Sequence, residues 1–345
     1  MNPPTTTLLK MFFDRYLPAL EAEMRAIVRP GDGRTTGLFG MLEYHMGWVD
    51  AGFCPSQART GKRVRPVLCL LSCEACGGDW ERALPAGAAI ELMHNFTLIH
   101  DDIEDRDETR RGRPTVWSLW GEAQGINAGD TLFALAQLAL LRLPDHGVLT
   151  TAVIEALRLV NRTCVELTAG QYLDIGFEER TDVSIADYLV MVEGKTAALI
   201  ACACEMGALV AGASDDQRRH LRSFGRHLGL VFQMRDDVLG IWGDPALTGK
   251  PVGSDILRRK KTLPILHGLE NSAELRTLLA RDALSEADVR RATALLQRSH
   301  SREYTERLAR ENHVQALAAL EEADLREPAA QALRELAHLL LDRER

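Results

Sequence analysis

Apolar side chains along this chain recur at intervals of three and four, the spacing of a helix face, and not at intervals of two. The stretches "LFALAQLALLRL", "TAVIEALRLVNRTCVEL", "TAALIACACEMGALVAG" and "AHLLLDRER" carry the pattern most clearly. Alternating β-branched runs of strand length are missing, so the chain reads as all-α. Gly and Pro cluster at 29–37, 77–87, 143–147, 243–253 and near Pro328, where helices should end. None of these breaks is long or polar enough for a domain linker, and residues 1–345 read as a single domain. The stretch "PAGAAIELMHNFTLIHDDIED" reads as one helix, with Pro85 in its first turn and Leu92, Phe96 and Ile99 at helical spacing.

Composition changes this picture little. Hydrophobic residues make up 46% and charged residues 26%, ordinary values for a globular chain. Lys10, Asp14 and Arg15 interrupt the apolar stretch near the start, and no later run approaches about 18 apolar residues, so neither a signal peptide nor a membrane span is expected and a cytoplasmic location is assumed. A net charge of -8 argues against a broad nucleic-acid footprint. The seven cysteines include one CxxC, Cys73 and Cys76, without the second pair or histidines of a structural zinc site. They read as buried small apolar groups.

The chemistry is concentrated in "HDDIEDRDETRR", where Asp101, Asp102, Glu104, Asp105, Asp107 and Glu108 precede Arg110 and Arg111. On a helix Asp101 and Asp105 lie one above the other and Asp102 about 100° round, so three carboxylates should share a sector. Their mutual repulsion, and the helix dipole at a carboxyl end, call for a cation. Hard oxygen ligands suit Mg²⁺, which shares its coordination with water and substrate phosphates. An EF-hand loop does not fit, since Arg106 and Gly112 stand where Gly and Glu are required.

A second acidic pair, Asp236 and Asp237 in "FQMRDDVLG", follows an amphipathic run, and two such helix ends facing each other would form a carboxylate-walled mouth for several Mg²⁺ ions. Arg110, Arg111, Lys250, Lys260 and Lys261 follow the acids closely in sequence, and "TGKRVRP" places Lys62 and Arg65 three apart, hence neighbours if that stretch is helical. Acid and base gathered together point to a polyanion held through metal on one side and by direct ion pairs on the other, with diphosphate the natural candidate. "GDPALTGKP" is no nucleotide P-loop, because no Ser or Thr follows Lys250 and no strand precedes it.

Taken in order, "GKRVRP", "ELMHNFTLIHDDIEDRDETRRGRPTVW", "NAGD", "GQYLD", "EGKTAAL", "FQMRDDVLG" and "GKPVGSDILRRKKT" make the chain resemble the trans-isoprenyl diphosphate synthases of the polyprenyl synthetase family, bacterial geranylgeranyl diphosphate synthases above all. The likeness runs from about residue 40 to the end. It implies an antiparallel helical bundle around a central cavity and a head-to-tail condensation of isopentenyl diphosphate with allylic diphosphates. It further implies that Asp101, Asp102 and Asp105 bind Mg²⁺ and that Asp236, with Asp237 beside it, holds a further ion. Lys62, Arg65, His94 and Arg111 match the family's groups for isopentenyl diphosphate, and Arg110, Lys195, Lys250 and Lys260 those for the allylic diphosphate. Thr196 and Gln233 match polar residues facing the developing cation, supported by Gln171 and Asp174. Homodimerisation is implied as well.

Two positions depart from the family pattern: Gly240 stands where a third aspartate is common, and Thr60 where a second glycine is. Met93, Phe96 and Thr97 lie beneath Asp101, where the resemblance places the floor of the product tunnel. One aromatic beside a small threonine suggests a C20 product, geranylgeranyl diphosphate; C15, farnesyl diphosphate, is the alternative. From other classes, a class I terpene cyclase has no need of Lys62, Arg65 and His94, and a non-catalytic synthase subunit would have eroded aspartates.

Overall fold

The computed structural model describes residues 6–29, 33–58, 61–244, 253–281 and 283–342. Its first half comprises α1 (Thr7–Ile27), α2 (Thr36–Met46), α3 (Val64–Ala75), α4 (Leu84–Glu104), α5 (Val116–Trp120), α6 (Glu122–Leu140) and α7 (Thr150–Glu178). Its second half comprises α8 (Ile185–Val192), α9 (Ala198–Ala211), α10 (Asp215–Trp242), α11 (Ser254–Leu257), α12 (Leu263–Asn271), α13 (Ala273–Leu279), α14 (Glu286–Arg298), α15 (Ser301–Glu322) and α16 (Ala329–Leu341). The fold is all-α, as the periodicity predicts. Helix starts follow local chemistry: Ser184, Ser214 and Ser285 each cap a helix, with Asp187, Gln217 and Asp288 closing the box from the third position.

The main core lies where α3, α4 and α9 meet α1, α6 and α10, with Phe12, Tyr16, Leu68, Leu70 and Phe224 fully buried. Small residues set its close contacts. A Cβ at Gly129 of α6 would lie 2.2 Å from the His100 ring, so a side chain there would push that ring out of its place between α4 and α6. Cys69, Cys73, Cys202 and Cys204 are buried at the α3–α9 contact as expected, whereas Cys54 is exposed.

The continuous helical run Ile185–Ala211 is long and apolar enough, by length and composition, to cross a membrane, contrary to the sequence expectation; 78% of its apolar window is buried inside the bundle. A second departure is a two-stranded ribbon, β1 (Thr109–Arg110) and β2 (Arg113–Pro114), which the helical periodicity gave no sign of. Arg111 and Gly112 form its turn with φ of 54° and 77°, the left-handed pair that a tight two-residue hairpin needs.

An ion pair inside the bundle anchors the chain just before α3. Arg63 has a left-handed φ of 52°, and its guanidinium lies 2.6 Å from Glu91 in the middle of α4, both side chains being at most 5% exposed. Asn95 donates to the same Glu91 oxygen at 2.9 Å. Because α3 begins only at Val64, Lys62 precedes the helix, and the helical adjacency of Lys62 and Arg65 considered from sequence does not arise. Removing one partner of such a pair strands the other charge. Glu91→Ala should therefore lower unfolding free energy by about 3–5 kcal/mol, read as a fall in the urea midpoint at constant slope.

Candidate active site

The last turn of α4 carries Asp101, Asp102 and Glu104, with Asp105 as its C-cap residue. The three carboxylates expected to share a sector divide. Asp102 is 1% exposed and accepts from Arg110 Nε at 2.6 Å, so it turns toward the hairpin and away from the other two. One Asp102 oxygen is thus taken by Arg110, while the other, Oδ2, is buried without a hydrogen-bond partner among the described residues. Burial raises both Asp101 and Asp102 to about 6; Lys195 opposes this at Asp101, and Arg110 at Asp102.

Facing this helix end is the turn that joins α8 to α9. Residues Glu193–Ala197 form one π-helical turn, a local widening frequently found at functional sites. Gly170 of α7 makes room for it, since a Cβ there would sit 2.2 Å from Lys195 N. The widened turn presents two successive side chains. Lys195 pairs with Asp174 and lies in the field of Asp101 and Asp105, and these acids raise its pKa against burial. The Thr196 hydroxyl donates to Gln233 Oε1 at 2.9 Å. Gln171, on α7, donates to Glu104 at 2.7 Å.

Gln233 and Asp236 come from α10, but the second acidic pair does not lie at the end of its helix, which continues to Trp242. Asp236 is half-buried. Asp237 is 2% exposed, and its carboxylate accepts from Tyr188 Oη at 2.7 Å, Leu263 N at 2.9 Å and Gln233 Nε2 at 2.9 Å. Burial lifts it to about 7, partly offset by those donors. Asp237 is thus the buried knot that ties α8, α10 and α12 together. Tyr188 carries no sequence signal beyond an aromatic in an apolar run. Glu91, a lone acid in an apolar helix, could have been singled out.

On the other side of Asp102 lies a cationic nest. Arg111, at the hairpin turn, packs its guanidinium against Gly61, while Arg65 Nη1 lies 3.3 Å from His94 Nε2. Tyr44, His45, Asp102, Arg110, Arg111 and Arg113 line a small cavity here. Burial, then the neighbouring arginines, hold His45 and His94 well below the ordinary histidine pKa, so both rings are neutral. Burial and Arg110 lower Arg111. Such crowding of positive charge favours an anion. Lys62 and Lys260 are exposed, and Lys250 lies outside the described residues.

Below the acids, Met93 is fully buried and the Thr97 hydroxyl donates to His94 O at 2.7 Å. The Phe96 ring meets Phe133 of α6 at 5.4 Å and His100 at 5.6 Å, so a second aromatic reaches the expected floor from another helix.

The neutral histidines carry a pH dependence. Their folded-state pKa values are depressed, so as pH falls below the ordinary value of 6.5 the unfolded chain takes up protons that the folded one refuses, and stability is lost. Replacing both (His45→Asn with His94→Asn) should flatten the thermal midpoint between pH 6.5 and 5.5, removing up to about 1 kcal/mol of acid destabilisation per ring. An acid limb as steep as that of the parent would show that the rings protonate in the folded state.

Comparison with known proteins gives this arrangement its context. Residues 53–296 match the family model described as polyprenyl synthetase. A geranylgeranyl diphosphate synthase of Mycobacterium tuberculosis is 45% identical over 301 residues, 86% of this chain and 85% of that protein. A (2E,6E)-farnesyl diphosphate synthase of the same organism is 41% identical over 314 residues, 88% of this chain and 86% of that protein. The crystal structure of a polyprenyl synthetase from Streptomyces coelicolor A3(2) superposes with a TM-score of 0.88 at 38% identity, covering 97% of this chain and 99% of the other. The chain belongs to the polyprenyl synthetase family and is a prenyltransferase.

Proposed function

We propose that the chain condenses isopentenyl diphosphate head to tail (1'-4) with an allylic diphosphate, giving a short all-trans prenyl diphosphate of the C20 class, geranylgeranyl diphosphate. One observation carries this reading: Asp101 and Asp105, which act together on Lys195, adjoin a separate nest holding Arg65, Arg111 and neutral His94, with the Asp102–Arg110 pair between. Two diphosphates need two such pockets. A cyclase working on one substrate needs only the first.

Mg²⁺ fits the acidic wall by the chemistry of its donors, hard carboxylate oxygens. Among the described residues no three His, Cys, Asp or Glu side chains converge to hold a metal unaided, so an ion here would need water and diphosphate to complete its coordination. Asp101, Asp105 and Asp236 would hold such ions, and when bound these supply charge neutralisation of the departing diphosphate. Lys195 and Lys260 add fixed positive charge for the same group, and Arg65 and Arg111 orient the second diphosphate.

The polar chain beneath is oriented for the opposite charge. Thr196 spends its proton on Gln233, and Gln233 spends an amide proton on Asp237. The lone pairs of Thr196 are left for a positive carbon, with no hydroxyl proton directed at it. His94, neutral and crowded by arginines, is unsuited to taking up a proton, so proton loss falls to the departing diphosphate.

Phe133 favours a second reading of length, C15, because its ring pairs with Phe96 at the expected floor. Mass analysis of products from isopentenyl and farnesyl diphosphates with Mg²⁺ decides: a C20 diphosphate supports the first reading, and no elongation of farnesyl diphosphate the second. Cyclic hydrocarbon would refute both. Phe96→Ala should lengthen the product, and Phe96→Ala with Phe133→Ala should lengthen it further; unchanged products would place the floor elsewhere.

Homodimerisation and a cytoplasmic location belong to the same proposal. Ile126 and Leu138 on α6 and Ile154, Val165 and Tyr172 on α7 are exposed large apolar side chains on two packed helices, and Ile154, Val165 and Tyr172 fall on one face of α7, suited to a second copy of the chain. The seven free thiols suit a reducing compartment. Ile126→Asp with Val165→Asp should halve the mass found by sedimentation equilibrium, and an unchanged mass would argue against this face.

A further inference from the structure

Glu91 and His94 lie one turn apart on α4, and both meet the segment that leads into α3. Glu91 Oε1 lies 2.6 Å from Arg63 Nη1, and His94 Nε2 lies 3.3 Å from Arg65 Nη1. One helix face thus grips two arginines that are two residues apart in the chain. Around these grips the side chains diverge: Arg63 is buried, Lys62 before it is exposed, and Arg65 is half-buried with its guanidinium 5.8 Å from the Phe232 ring of α10. The change of direction falls at Arg63, whose φ of 52° is unfavourable for a residue with a side chain and persists only where the surroundings hold it. Acid holds it here. Glu91 takes the guanidinium with both side chains buried, Asn95 donates to the same Glu91 oxygen at 2.9 Å, and the partly exposed Glu21 of α1 stands farther off, at 3.7 Å. The Glu91 carboxylate also acts on the hairpin. Burial lowers the Arg111 pKa, and among the acids that oppose this Glu91 acts most, ahead of Asp102. Arg63 and Arg111 therefore share one buried anion, and no step of the condensation uses it.

We propose that Glu91 is a positioning residue for isopentenyl diphosphate: by drawing Arg63 into the bundle it sets the left-handed turn from which Lys62 and Arg65 are presented, and it supplies the counter-charge that lets Arg111 stand beside Arg110. The proposal rests on the reading of the nest of Arg65, Arg111 and His94 as the isopentenyl diphosphate site. A carboxylate at the surface of that nest would repel the diphosphate. Glu91, with its side chain 3% exposed and paired with Arg63, offsets part of the positive charge while staying out of contact with the ligand. Its influence is confined to one substrate, because Lys195, assigned to the allylic diphosphate, is held by Asp174 and acted on by Asp101 and Asp105 instead.

Steady-state rates of the full-length protein with Mg²⁺, isopentenyl diphosphate and geranyl diphosphate test this, the KM of each substrate being read separately. Glu91→Gln keeps the shape and removes the charge; the KM for isopentenyl diphosphate should rise about tenfold, while kcat and the KM for geranyl diphosphate change by less than about threefold. Arg63→Gly removes the guanidinium but leaves a residue at ease in the left-handed turn, and should give the same split. The two changes combined should be no worse than either alone, because each acts through the other. Leaving no stranded charge, the double variant also carries the test where a single one does not fold, with the thermal midpoint as the check. Arg65→Gln is the control for the site itself and should raise the same KM. An unchanged KM for isopentenyl diphosphate in the Glu91 and Arg63 variants, or a rise shared equally by both substrates, overturns the positioning role; a selective effect of Arg65→Gln then leaves the reading of the nest intact. Parent-like kinetics in Arg65→Gln overturn that reading and this inference with it.

Discussion

The ion pair between Asp102 and Arg110 is the constraint around which the site is arranged. Without a partner, a carboxylate this deeply buried beside Asp101 would tend to stay protonated, and a guanidinium beside Arg111 would repel it. Together they neutralise each other at the boundary between an acidic wall and a basic nest. The pair also has a mechanical effect. It draws the hairpin back against the end of α4, and the left-handed turn at Arg111 and Gly112 then carries the Arg111 guanidinium across to Gly61. Acidic and basic groups can stand this close together without cancelling one another only if something keeps them apart. A fixed neutral pair between them is one way to do so.

How much of this was legible in the sequence depends on the range of the interaction. Helix positions followed from local periodicity, and the start of α4 from Pro85 and the apolar run. Which residues gather at the site also showed, because runs such as "DDIED" and "EGKTA" are local. What each acid does was hidden, since Asp101 and Asp102 differ by one position and about 100° of rotation, and only the hairpin decides that the second is buried. Asp237 is a similar case: its three donors come from α8, α10 and the first residue of α12, and no spacing along the chain announces that meeting. The π-helical turn at Glu193–Ala197 was hidden for the same reason, being permitted by Gly170 on another helix. The contact between Phe96 and Phe133 likewise needs α4 and α6 to meet.

The buried and exposed acids divide the work by how much each is permitted to move. Asp237, held by three donors, fixes the direction of the Gln233 amide and through it the Thr196 hydroxyl, so the dipoles beneath the mouth do not reorient as charge develops above them. Preorganised dipoles stabilise a charge without the reorganisation that water would need. Asp105, by contrast, is exposed at the end of α4 and stands outside that network. Had both acids of α10 faced the mouth, the polar chain would have lost its anchor, and a loosely held Thr196 could turn its proton toward a positive carbon. The burial of Asp237 is therefore the condition on which the fixed direction of the Gln233 amide and the Thr196 hydroxyl depends.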